Sequence, residues 1–547
     1  MWTSSFTPRQ FAELHNQWKR ARELGPHALG RILSLVESRG CETVVSEVRP
    51  TGEREFRHEQ KTLRRADRWR DSGPKRATRL HFFRGRVPAA WAIEDHDARY
   101  LGYCDLRPKG YVRNGDEHEF GTISEAVIAS DVFIPRDSRH LYLVCQRDFH
   151  VQLGERQLRV RGFPYIQQDN QVVRCAACAL GTIARYFGHD RTAAHFEEMA
   201  ERRTVPSLPR PGLKLEQIDA CLKSIGLKPL LYDYAELRHP PDQTTPEQVV
   251  YRYIESGVPV LIGLDAGRNE MHTLVAIGYM FSPDSWIARA RRTHFRRRRR
   301  RAGYQPSTQW VERFIVQDDN MGPYTLLPTS VVRRRTLLRP KAREPVIVVP
   351  LRRPLALKGE TAERFVAHFI NPATETFIRW FHQTIDQLTR DDPSAIPEDS
   401  LFWLRQFREH VKHGEVVLHT ALRPAQQWRR RSLQSPNAAT LAAVLHRLPV
   451  PEAVWVVELS WPSLFLHSRR ACGQVVLDPD KPLNERRSRM GQAWLWMHLP
   501  GVVAYRNRTN GTIGLVPLPE PDYPLSHSTG ADGSASNGAA ASSLWVS

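Results

Sequence analysis

The feature that most constrains this chain is the run Arg174-Cys-Ala-Ala-Cys-Ala-Leu-Gly-Thr-Ile-Ala-Arg-Tyr-Phe-Gly188. Ala176, Leu180, Ile183, Ala184 and Phe187 fall on one face at helical spacing, and Gly188 supplies a stop. So apolar a helix must be buried, and Cys175 stands in its first turn. Unpaired backbone N–H groups and the positive end of the helix dipole meet there, which favours a thiolate, the reactive form of cysteine. The same N–H groups, with a nearby side-chain amide, can hold an oxyanion as a carbonyl is attacked.

Further along, the chain reads as alternating helix and strand. Glu247–Ile254 is patterned as a helix, Gly257-Val-Pro259 breaks it, and Val260–Leu264 is a short buried strand. Met271–Tyr279 reads as a second strand with His272 at its start. Arg313–Gln317 reads as a third, ending in Asp318-Asp319-Asn320-Met-Gly-Pro. A cysteine on a helix, a histidine opening a strand and a carboxylate closing one supply a sulfur nucleophile, an imidazole to carry the proton and a group to orient the ring.

On these residues the segment resembles the papain-like cysteine peptidases that process double-glycine leader peptides in bacteriocin export, and their soluble relatives. Those carry a glutamine, a Cys-Gly-x-Ala-Cys-Leu stretch, a helix ending like Ile183-Ala-Arg-Tyr-Phe-Gly188, a Gly-x-Pro like Gly257-Val-Pro259, a histidine opening a strand and an Asp-led turn. The resemblance covers roughly 190 residues and implies catalytic Cys175, His272 and Asp318, with Gln168 lining the oxyanion site. It departs from the family at three places. Ala176 stands where glycine usually follows the nucleophile; Gln168 lies seven positions before Cys175, where six is common; and the turn reads Asp-Asp-Asn rather than Asp-Pro. Asp319 therefore competes with Asp318, which is preferred because it directly follows the strand, and Gln167 neighbours Gln168. The resemblance implies a thioester acyl-enzyme formed on a peptide or protein substrate, with no metal or organic cofactor. No transporter module accompanies the segment, which points away from an export role.

The fold expected is α+β: a papain-like domain over 156–350, its Cys-bearing helix packed on an antiparallel sheet carrying His272 and Asp318. Flanking it are an N-terminal region of mixed helix and strand over 1–155, with helical patterning at Phe11, Leu14 and Trp18 and again at Leu29, Ile32, Leu33 and Leu35, and a C-terminal α+β domain over 351–522. Residues 523–547 are small-residue low complexity and read as a disordered tail. The chain is 547 residues, enough for two to four domains. Its longest apolar runs are strand-sized, so no membrane span is expected. Seven scattered cysteines and the lack of a secretory signal suit a reducing cytoplasm.

The charge balance is 79 Lys+Arg against 59 Asp+Glu, a net +20. Much of it is concentrated in the run Arg291–Arg301, inside an insertion over 288–303, with smaller clusters at Arg333–Arg335 and Arg429–Arg431. Such a run could neutralise nucleic acid or another polyanion, but it has no interleaved aromatic platform and no recognisable nucleic-acid motif, and suits a solvated loop better. Other readings of the site stay open: acyl transfer or deamidation, an inactive peptidase fold that binds acidic partners, and thiol–disulfide exchange at Cys175-Ala-Ala-Cys178. The last is weakened because a Gln/Asn-rich loop, not a strand, precedes Cys175. Zinc is weaker still, lacking a second Cys pair or close His pair. Cys178 reads as a small core residue, and Cys41, Cys104, Cys145, Cys221 and Cys472 as structural.

Overall fold

The computed structural model describes residues 2–5, 26–50, 76–87, 97–113, 116–134, 140–168, 174–201, 212–236, 244–267, 270–282, 304–333, 343–390, 396–434, 438–465, 470–483, 493–507, 511–518 and 523–524. The Arg291–Arg301 run, most of the tail and the helical pattern at Phe11, Leu14 and Trp18 lie outside them. The described residues form a mixed α+β structure around three large sheets, antiparallel except where Gln305–Pro306 pairs in parallel with Val417–Leu418.

The first sheet runs, in spatial order, Trp2–Ser5, Cys41–Pro50, Arg76–Arg84, Tyr100–Arg113, Asp116–Ala129, Arg156–Tyr165 and Arg147–Leu153. The helix Pro26–Glu37 packs on it, burying Leu29, Ile32, Leu33 and Val36 at i, i+3, i+4 and i+7. The boundary expected after residue 155 falls in the turn between the last two strands, so Arg156–Tyr165 pairs with strands from residues 1–155.

The second sheet is ordered Gly322–Pro328, Val311–Asp318, Glu270–Phe281, Val260–Gly267, Val346–Leu351 and Lys228–Asp233. Leu141–Leu143 also pairs with Glu270–Phe281, beyond the end of Val260–Gly267. The helix Cys175–Tyr186 packs against Glu270–Phe281 and against the helix Ala193–Glu201. Every residue of it except Arg185 is buried, which its Ala- and Cys-rich composition permits without overpacking. Gly181 is where it approaches its surroundings most closely: a Cβ there would stand 2.9 Å from Ile166 Cδ1 and 3.3 Å from Ala193 N.

The third sheet runs from Gln305–Pro306 through Val417–Pro424, Ala453–Ser460, Gly473–Leu477, Trp494–Leu499 and Val502–Arg506 to Ile513–Pro517. Its central strands are buried on both faces, and alternate residues serve two cores. Trp455, Val457 and Leu459 join the main core, whereas Val454 and Val456 join a second one with Trp428, Leu441, Val476 and Trp496. Gly359–Phe369 covers this sheet at Val417–Pro424 and Ala453–Ser460, and Ala425–Ser432 packs on the same strands.

A buried ion cluster ties this sheet to the helix Pro246–Glu255. His419 lies between two carboxylates, with Nδ1 2.6 Å from Glu458 Oε2 and Nε2 3.0 Å from Glu255 Oε2. Arg423 adds a bond to the Glu255 backbone oxygen at 2.5 Å. Burial alone would lower the His419 pKa, but the two glutamates outweigh it and raise it to about 9. No described helix is long and apolar enough to cross a membrane.

Candidate active site

Arg174 is the N-cap of the Cys175–Tyr186 helix, and a guanidinium cannot accept the hydrogen bond that a serine or aspartate would there. It forms instead a buried two-pronged ion pair with Glu197 on the neighbouring helix, which fixes where the helix begins. The first-turn N–H groups are thus left without an N-cap acceptor, and Cys175 stands among them. The Cys175 Sγ lies 3.7 Å from the Met271 carbonyl oxygen, the residue before His272.

His272 faces Leu264 across one sheet ladder. On the other side Val275 pairs with Gln317, which carries the end of Val311–Asp318 toward the His272 end of its neighbour. His272 Nε2 lies 3.1 Å from Asp318 Oδ1 and 3.5 Å from Asp319 Oδ1. With Nε2 donating to the carboxylate, Nδ1 is the ring nitrogen left to serve the thiol. Burial would lower the His272 pKa, but hydrogen bonding to Asp318 and Cys175, with the charges of Asp319 and Asp318, raises it to about 10.

The two aspartates differ in surroundings. Asp318 Oδ1 also accepts from the Asn320 N–H at 2.9 Å and the Met321 N–H at 3.2 Å. Burial would push its pKa up, but the hydrogen bond and charge of His272 and the two backbone donors hold it below the ordinary value. Asp319 is more deeply buried, and burial, helped by Asp318's charge against the opposing His272, pushes its carboxyl up to about 7. Asp318 is therefore the charged partner of the ring, and Asp319 is largely a neutral acid below neutrality.

The two glutamines also diverge. The Gln167 side chain accepts from Ile123 N at 3.1 Å and belongs to the first sheet. Gln168, pointing the other way along extended chain, accepts from Arg174 N at 3.3 Å and donates from Nε2 to Asn320 Oδ1 at 2.6 Å. Cys175, His272, Asp318 and Gln168 are thereby brought into one locality, with Asp319 and Asn320. Gln167 is held away from it.

The Asp318 turn is clamped from the first sheet and its helix. Tyr165 donates to the Asp319 carbonyl at 3.2 Å, and Tyr324, at φ 55°, donates to Ile128 O at 2.6 Å. Arg31 of the Pro26–Glu37 helix donates to the carbonyls of Pro323, at 2.5 Å, and Tyr324. Gly322, at φ 108°, sits so close to that helix that a Cβ would stand 3.1 Å from Ala28 Cα. Nothing in the sequence spacing marks Arg31 or Asn320; only Gly322, in a turn, is a recognisable signal.

Oxygen and nitrogen atoms of His272, Asp318 and Asp319 lie within 4.8 Å of one another, a donor set that a cation could share. A metal on Nε2 would displace the ring's hydrogen bond to Asp318. All seven cysteines are thiols, and Cys178 is buried one turn beyond Cys175. No protein-family model matches this chain, and a comparison with curated proteins finds no match either.

Proposed function

We propose that this protein is a papain-like cysteine hydrolase acting on a peptide or protein substrate, with Cys175 as nucleophile, His272 as acid–base, Asp318 as the orienting carboxylate and Gln168 as an oxyanion donor. The observation that carries this reading is the His272 ring. It is bound to a charged, twice backbone-anchored Asp318 through Nε2, and the Cys175 sulfur, at the start of a buried helix, lies 3.7 Å from the carbonyl oxygen of Met271, the residue before His272. That arrangement stabilises a protonated His272 beside a first-turn cysteine, the placement that nucleophilic cysteine catalysis needs.

The chemistry runs in two steps. The Cys175 sulfur forms a bond to the substrate carbonyl carbon, its proton having passed to His272. The first-turn N–H groups and Gln168 hold the developing oxyanion. The C–N bond then breaks as His272 returns the proton to the leaving amine, which leaves a thioester. Water gives one proton to His272 and its oxygen to the acyl carbon, and the proton passes back to the released sulfur. An amine in place of that water would make the same site an acyltransferase, and a glutamine side-chain amide as substrate would make it a deamidase. The free thiols suit a reducing compartment, and we assign the protein to the cytoplasm on that ground.

Limited alkylation of the full chain with iodoacetamide at about pH 6 tests this. The expected result is fast modification confined to Cys175 and lost in His272→Ala. Equal or slower modification of Cys175 relative to the other buried thiols would overturn the reading, and a reversible Cys175–Cys178 disulfide would replace it with a redox role.

A further inference from the structure

Hydrogen-bond donor logic fixes the Gln168 amide without reference to any substrate. A backbone N–H can only donate, so the atom of Gln168 facing Arg174 N at 3.3 Å must be its oxygen. Its nitrogen then faces Asn320 at 2.6 Å, so Asn320 must present its own oxygen. One Gln168 N–H is used in that bond and the other is left over. The same Asn320 uses its backbone N–H, 2.9 Å from Asp318 Oδ1, to hold the carboxylate that binds His272.

We propose that Asn320 is a positioning residue that joins the two arms of the site: its side chain aims the spare N–H of Gln168 at the oxyanion, while its backbone anchors Asp318. This assignment rests on the hydrolase reading and deepens it. The two functions reside in different parts of one residue, so substitution of the side chain separates them. Replacing the side chain removes the acceptor for Gln168 and leaves the N–H to Asp318 in place. The thiol–imidazole pair should then be unaffected, while stabilisation of the tetrahedral oxyanion suffers. A residue that merely supported the fold would disturb both together.

The experiment measures two reactions of Cys175 in the full chain. Alkylation by iodoacetamide passes through no oxyanion, whereas acylation by p-nitrophenyl acetate does. In acylation the sulfur bonds to the acetyl carbon and p-nitrophenolate leaves. Asn320→Ala is expected to leave the rate and pH profile of alkylation within about twofold, yet to slow acylation about tenfold, a fraction of the 10²–10³ typical of losing an oxyanion donor outright. Gln168→Ala should slow acylation about a hundredfold. Gln168→Ala/Asn320→Ala should be no slower than Gln168→Ala alone, because Asn320 acts through the glutamine.

Additive losses in the double variant, an unchanged acylation rate in Asn320→Ala, or a parallel loss of alkylation would each overturn the assignment. If wild-type Cys175 alkylates but does not acylate, the hydrolase reading falls and Asn320's role falls with it. If wild type does both and only the Asn320 expectations fail, the hydrolase reading stands alone.

Discussion

Asp318→Asn and Asp319→Asn should have unequal effects, and the structure sets the size of the difference. The His272 pKa stands at about 10 against an ordinary 6.5. At about 1.4 kcal/mol per tenfold, the surroundings favour the imidazolium by roughly 5 kcal/mol. Asp318 contributes to this through both a hydrogen bond and its charge, alongside Cys175 and, only where it is ionised, Asp319, so its share is about 2 kcal/mol. Asparagine keeps an acceptor oxygen for Asn320 N, Met321 N and the ring, and removes only the charge. Asp318→Asn should therefore slow acylation of Cys175 about thirtyfold.

Asp319, with its carboxyl pushed up to about 7 by burial, is mostly neutral at about pH 6. Asp319→Asn then changes little there, within about threefold. The assay is the pre-steady-state release of p-nitrophenolate from p-nitrophenyl acetate at about pH 6, with both variants checked for intact secondary structure. A larger loss in Asp319→Asn than in Asp318→Asn, or no loss in either, would refute the assignment of Asp318 as the orienting charge.

Gly322→Ala forces a side chain into left-handed backbone and against Ala28 and Arg31, so it should lower the melting temperature and slow acylation together; unchanged values for both would show that the Arg31 contact does not set the turn. Asp319 binds its proton more tightly folded than unfolded, so stability should fall as pH rises from about 4 through about 7. Asp319→Asn should remove about 4 kcal/mol of that decline, read from denaturant midpoints across the interval. His419, raised to about 9, contributes stability that is full below its ordinary 6.5 and is lost as pH rises through 9. His419→Leu leaves Glu255 and Glu458 buried without their shared cation and should cost about 3–5 kcal/mol, measured by urea unfolding at neutral pH.

Local chemistry was legible where periodicity and residue type agree. The Cys175–Tyr186 helix follows from its apolar face and Gly188, and the strands holding His272 and Asp318 from short apolar runs bounded by turns. The mixed helix-and-strand class followed from the same patterns. The N-terminal sheet carries a signal of its own: Tyr100–Arg113 and Asp116–Ala129 flank Asn114-Gly115, a strong two-residue hairpin pattern.

Choices between adjacent residues were not legible, because spacing cannot say which of two neighbours faces the site. Gln167 and Gln168 separate only once extended backbone sends one to Ile123 and the other to Asn320. Asp318 and Asp319 separate only once the ring distance and the backbone donors are known. The Arg31 clamp joins residues almost three hundred positions apart, a pairing that no local pattern encodes.

Whether Cys175 is a nucleophile driven by His272 can be read in one experiment: mass spectrometry of the intact chain after brief exposure to p-nitrophenyl acetate at about pH 6, followed by acid quench and peptide mapping. The expected product carries one acetyl group per chain, on the sulfur of residue 175, and none at that position in folded His272→Ala. An acetyl group on lysines or other thiols with residue 175 unmodified, or equal acetylation of Cys175 in His272→Ala, would contradict that role.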